Sequence, residues 1–99
     1  MKLIKIGSNG LEKYSTIYKK REVMIEIYQF ISLVGKKEIG FNIYIKKRAN
    51  MVYKFILCVE DDKISFFPRL GSENKDMMNI LNTIPKEKIK ERYIKVNGI

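Results

Sequence analysis

Residues 38–60 read EIGFNIYIKKRANMVYKFILCVE, two runs with apolar residues at every second position on either side of Arg48-Ala49-Asn50. Successive side chains of an extended chain point to opposite faces, so Ile39, Phe41, Ile43 and Ile45 share one face of the first run and Tyr53, Phe55, Leu57 and Val59 one face of the second. The stretch predicts a β-hairpin. A three-residue loop at 48–50 with Asn50 in the left-handed region sets Ile39 against Val59, Phe41 against Leu57, Ile43 against Phe55 and Ile45 against Tyr53. A two-residue turn at Asp61-Asp62 then puts Ile64 opposite Val59 and Phe66 opposite Leu57, on a third strand ending at Pro68. Both turns leave one face of the meander continuously apolar, which fixes the register because a one-residue slip would reverse the faces.

Working outward, Met24, Ile27, Tyr28, Ile31 and Val34 recur at three- and four-residue intervals. That spacing predicts a helix over about 20–34, with Gly35 as its left-handed cap and Lys36 and Lys37 beside its negative end. On the other side, Asn74 is placed to cap a helix over about 75–84 carrying Met77, Ile80, Leu81 and Ile84 on one side. Pro85 separates it from a short charged helix, Lys86 to Arg92, anchored by Ile89 and Tyr93. Residues 93–96 alternate like a strand and are expected to pair with Lys2 to Ile6, itself ended by a Gly7-Ser8-Asn9-Gly10 turn. Residues 11–18 fit helix and strand equally. The expectation is a single α+β domain over 1–99. It has two layers, an antiparallel sheet (meander about 39–67 plus terminal strands) packed on one face by helices about 20–34 and 75–84.

Composition bounds the function. An apolar fraction of 45% and a charged fraction of 31% are ordinary for a globular domain. The chain contains no histidine and one cysteine, Cys58, so zinc-ligand sets, Ser-His-Asp and Cys-His chemistry and an intrachain disulfide are absent. The expectation is a protein without catalytic residues, metal or small-molecule cofactor. Glu60-Asp61-Asp62 reads as a turn rather than a cation site, and Cys58 as a packed thiol. No apolar run reaches membrane-spanning length, and the first residues carry a lysine inside a short apolar stretch, so a cytoplasmic protein without membrane association is expected. Lysine, isoleucine and asparagine are abundant while alanine occurs once, the usage of an AT-rich genome and compatible with a viral or mobile-element origin.

The net charge is +9, and its placement matters more than its sum. Between Ile39 and Val59 there is no acidic residue, while Lys46, Lys47, Arg48 and Lys54 occur with Tyr44 and Tyr53. In the expected register Tyr44 lies across from Lys54 and Lys46 across from Val52, on the face turned from the helices. Cations for phosphates beside rings for bases are the ingredients of DNA or RNA binding by a hairpin. The alternative is a solvated edge whose lysines discourage aggregation. Tyr44, Val52, Ile56 and Phe67 share the same outer face and suit a protein interface, for a homodimer or a host protein. The run Lys19-Lys20-Arg21, with Glu22 beside it, and the group Lys86 to Lys95, diluted by Glu87 and Glu91, read as solvated charge.

The order helix, three-strand meander, helix resembles the topology of double-stranded RNA-binding domains, although Gly71-Ser72-Glu73-Asn74-Lys75-Asp76 holds one lysine where that family has a lysine- and alanine-rich phosphate-binding motif. The order strand, helical region, three strands is similar to small ribonuclease toxins of the RelE type, whose carboxy-terminal basic and aromatic catalytic set finds no match here.

Overall fold

In a computed structural model, which describes residues 4–5, 12–46, 52–61 and 63–97, the strands follow one another as an antiparallel meander in chain order. They are β1 (Ile4–Lys5), β2 (Glu12–Tyr18), β3 (Arg21–Ile31), β4 (Lys37–Ile45), β5 (Val52–Glu60) and β6 (Lys63–Pro68), followed by α1 (Lys75–Leu81) and α2 (Lys86–Asn97). The α+β class is as expected, but the sheet is wider because the expected helix over 20–34 is a strand.

The reason lies in β3 itself. Its apolar residues are so dense that both periods fit, yet Val23, Ile25 and Ile27 are buried while Met24 is exposed and Tyr28 half-buried. That is a period of two. Six of its eleven residues, Val23, Ile25, Ile27, Tyr28, Phe30 and Ile31, are β-branched or aromatic, which favours the pleated conformation. Strands on both sides then satisfy the backbone: Ile25 pairs with Tyr14 of β2 and with Ile43 of β4. Gly35, with φ +79°, serves the β3–β4 turn instead of capping a helix. The topological likenesses to double-stranded RNA-binding domains and to RelE-type toxins both relied on a helix here and fall with it.

The β4–β5 hairpin is present, displaced by two residues from the expected register. Phe41 faces Phe55, Ile43 faces Tyr53 and Tyr44 faces Val52. A shift of two leaves every side chain on its expected face, so the apolar pattern cannot distinguish the two registers. The expected loop at 48–50 lies outside the described residues. The β5–β6 register is as expected, with Val59 opposite Ile64 and Leu57 opposite Phe66. Asp61 takes the left-handed conformation at that turn, φ +47°.

Pro68 lacks the N–H that would continue β6. The ladder is finished by other groups: Arg69 donates its N–H to the Lys54 carbonyl at 2.9 Å, and the Ser72 hydroxyl accepts from the Lys54 N–H at 2.8 Å. The chain then enters α1, whose first N–H groups are capped by Asn74; its Oδ1 accepts from Asp76 N at 3.0 Å and Met77 N at 3.2 Å. Met77, Ile80, Leu81 and Ile84 are buried as expected. α2 continues through Asn97, so residues 93–96 form no strand, and β1 pairs with β2 instead. Ile89 and Tyr93 are four residues apart on one helix face, and both pack against the core, which holds this segment helical.

The core lies between the inner sheet face and the helices. Phe41, Phe55, Ile25, Ile39, Ile43, Ile80 and Leu81 are its fully buried members, each worth roughly 1.5–3 kcal/mol of burial. Phe41 meets Phe66 edge to face at 5.2 Å. Among the described residues no helix covers the outer sheet face. There Tyr28 lies over Gly40, whose missing side chain makes room for the ring: a Cβ at position 40 would sit 2.6 Å from Oη and 2.8 Å from Cε2 of Tyr28. An aromatic placed over a strand glycine restores the packing that glycine lacks.

Candidate nucleic-acid interface

Tyr18 pairs with Arg21, so β2 and β3 are joined by the two residues Lys19 and Lys20. Such a turn needs positive φ at both positions to match the twist of the strands, and Asn-Gly is the usual solution. Here two lysines adopt it, with φ +49° and +66°. The left-handed region crowds Cβ against the carbonyl, so each lysine is held there at a cost in free energy. Lys19 is tied down by its Nζ, 3.0 Å from Asp76 Oδ1 and 5.5 Å from the centre of the Tyr18 ring. The Tyr18 hydroxyl donates to the same carboxylate oxygen at 3.1 Å. Hydrogen bonding to Lys19 holds the Asp76 carboxyl below its usual range, and the same contact raises the Lys19 ammonium. The turn thereby lies against the start of α1.

β3–β4 pairing brings a second basic segment to this turn. The Lys46 N–H donates to the Glu22 carbonyl at 3.0 Å, and Lys46 Nζ lies 2.6 Å from Glu22 Oε2. Glu22 raises the Lys46 pKa through that hydrogen bond. Lys20, Arg21, Glu22 and Lys46 line one shallow cavity of about 430 Å³. Lys54 and Arg69, joined by the backbone bond described above, lie toward the same end of the sheet and are exposed. Residues 19–21 and 46 are 25 positions or more apart in sequence and form one cationic end in the fold.

The residues expected to bind nucleic acid are only partly together. Lys46 and Lys54 are exposed. Lys47 and Arg48 follow Lys46 in the chain and lie outside the described residues. Tyr44 is on the outer face, as expected, but half-buried between Met24 and Val52, the residues across from it on β3 and β5. Its hydroxyl is hydrogen-bonded to Glu26, which with burial pushes its pKa up to about 12. Tyr53 is a correction: it faces inward, is 7% exposed and belongs to the core, because the alternation that buries Phe55 and Leu57 buries it too. Lys54 lies across from Asn42 rather than Tyr44. The hairpin lacks acid, but its neighbour does not. β3 carries Glu22 and Glu26 onto the outer face, where Glu26 also pairs with Lys13 at 3.6 Å.

The residues proposed for a protein interface do share the outer face. Tyr44 pairs with Val52 and Ile56 with Phe67, and Phe67 is 64% exposed. Tyr28 over Gly40 stands next to Ile56 in the same row. Cys58 is half-buried on this face, and burial pushes its thiol pKa up, which lowers its reactivity. Among the described residues no group of His, Cys, Asp and Glu is disposed to hold a metal ion, and no helix is long and apolar enough to cross a membrane.

Compared with protein-family models, curated proteins and solved structures, the chain matches none. What sequence reasoning missed was the part played by Lys19-Lys20-Arg21. The signal was a basic pair between two runs of strand-forming residues, which marks a hairpin tip once 21–31 is read as extended.

Proposed function

We propose that the protein binds nucleic acid without catalysing a reaction, through the cationic end formed by Lys19, Lys20, Arg21 and Lys46, with Lys54 beside it and Lys47 and Arg48 next in the chain. The observation that carries this reading is the convergence of Lys20 of the strained turn, and Arg21 after it, with Lys46 at one cavity that Glu22 also lines. Lysines in a turn that glycine or asparagine would relax are retained at a cost, and such strain concentrates where a residue serves a ligand. Clustered cations neutralise phosphates and release their counterions. The exposed pairs Lys19–Asp76 and Lys46–Glu22 are weak in water and exchange readily for phosphate.

The test is fluorescence anisotropy with labelled DNA and RNA oligonucleotides at low salt. Binding is expected, and the Lys20→Glu/Arg21→Glu/Lys46→Glu variant should lose at least tenfold in affinity. Absence of binding at low salt, or a variant that binds like the wild type, contradicts the proposal.

One observation favours a second reading, a protein interface on the outer sheet face: the Phe67 ring is 64% exposed next to Ile56, in the row that runs through Gly40 to Tyr28. Exposed apolar patches tend to be interaction sites. A homodimer in light scattering that Phe67→Ser converts to monomer would support it; a strictly monomeric wild type that retains no host protein would remove it.

A further inference from the structure

Beside the shallow cavity, a second cleft of about 330 Å³ opens between the end of the sheet and α1. Val23, Ile45 and Met77 give it apolar walls, and Tyr18 and Tyr53 contribute two phenol rings. Lys19, Arg21 and Asp76 are also in its lining, so charge sits next to apolar surface. Its size is at the lower limit of small-ligand sites, enough for one ring system. Arg21 lines both this cleft and the cavity it shares with Lys20 and Lys46. A phosphate held in the cavity is therefore one residue away from a space with two rings, whose walls are about evenly polar and apolar and include Asn74.

We infer that the cleft receives a single unpaired nucleobase while Lys20, Arg21 and Lys46 hold the adjoining phosphates, so that the ligand is single-stranded nucleic acid. This rests on the nucleic-acid reading above and specifies its substrate. A base in a duplex is stacked and paired and must be extruded before it can enter such a cleft, whereas an unpaired base is free to leave its neighbours and pack against aromatic side chains. The Asp76 carboxylate accepts hydrogen bonds and donates none, so it suits a base with an amino group. Tyr53 thus contributes as a wall of the cleft on the inner side.

The experiment uses the full chain and two measurements. In anisotropy, a labelled 20-nucleotide strand and its duplex are compared. The strand is expected to bind at least tenfold more tightly, and Tyr18→Ala is expected to reduce that preference by roughly tenfold, the scale of one lost stacking contact. In two-dimensional amide NMR of the wild type, adenosine monophosphate is expected to shift Tyr18, Val23, Ile45 and Met77, and inorganic phosphate at equal ionic strength to leave Val23 and Met77 in place. The NMR arm decides the matter if Tyr18→Ala fails to fold. Equal affinity for strand and duplex, or identical shifts from the nucleotide and from phosphate, overturns the cleft and leaves the cationic end standing. No binding of either oligonucleotide overturns the nucleic-acid reading itself.

Discussion

Lys20 carries the sharpest conflict between local stability and function. With φ +66° it occupies a position that glycine fills without steric cost. Lys20→Gly is therefore expected to raise stability by about 0.5–1 kcal/mol in chemical denaturation while weakening oligonucleotide binding. A variant that is destabilised would show that the lysine is not strained. Tyr44 gives a second test. Its pKa, raised from 10.0 to about 12 by the Glu26 hydrogen bond first and burial second, means that the folded state keeps a proton the unfolded state loses. The resulting stabilisation is complete below pH 10 and disappears as pH rises to about 12. Ultraviolet titration should show a tyrosine ionising near 12 that Tyr44→Phe abolishes; an unchanged titration curve in that variant would contradict the assignment. Neither feature was legible from composition, because each depends on which strand lies alongside.

At the scale of elements, the meander from β4 to β6 and the start of α1 could be read from alternation and turn chemistry. Asn74 illustrates why, since a capping side chain announces its helix locally. Asn74→Ala removes the acceptor for two N–H groups and should cost roughly 1 kcal/mol in a denaturation experiment; an unaltered midpoint would mean that the cap is idle. β3 could not be read this way. Its apolar residues satisfy the helical spacing of Met24, Ile27, Tyr28 and Ile31 as well as the alternation of Val23, Ile25 and Ile27, and what decides is the pair of strands that flank it. The β4–β5 register was missed for a related reason: two registers two residues apart bury the same side chains, and the turn that separates them lies in the sequence between the strands.

For the whole molecule, the misread strand had a functional consequence. With residues 20–34 as a helix, Lys19-Lys20-Arg21 is one more charged surface, and the basic hairpin stands alone with no acid near it. With β3 in place, Glu22 and Glu26 enter the outer face, and the two basic segments meet at one end of the sheet. The interest of the +9 charge thus moves from the tip and outer face of one hairpin to an end of the sheet that two hairpins build. A polyanion bound there contacts several cations at once, and the dependence of affinity on salt counts them. The measurement is the slope of log affinity against log salt for a single-stranded oligonucleotide. Four phosphate contacts by Lys19, Lys20, Arg21 and Lys46 predict a slope of about −3, reduced in steepness by about 1 in Lys20→Ala and by about 1 in Lys46→Ala. Binding independent of salt, or a slope that both substitutions leave unchanged, would contradict the account.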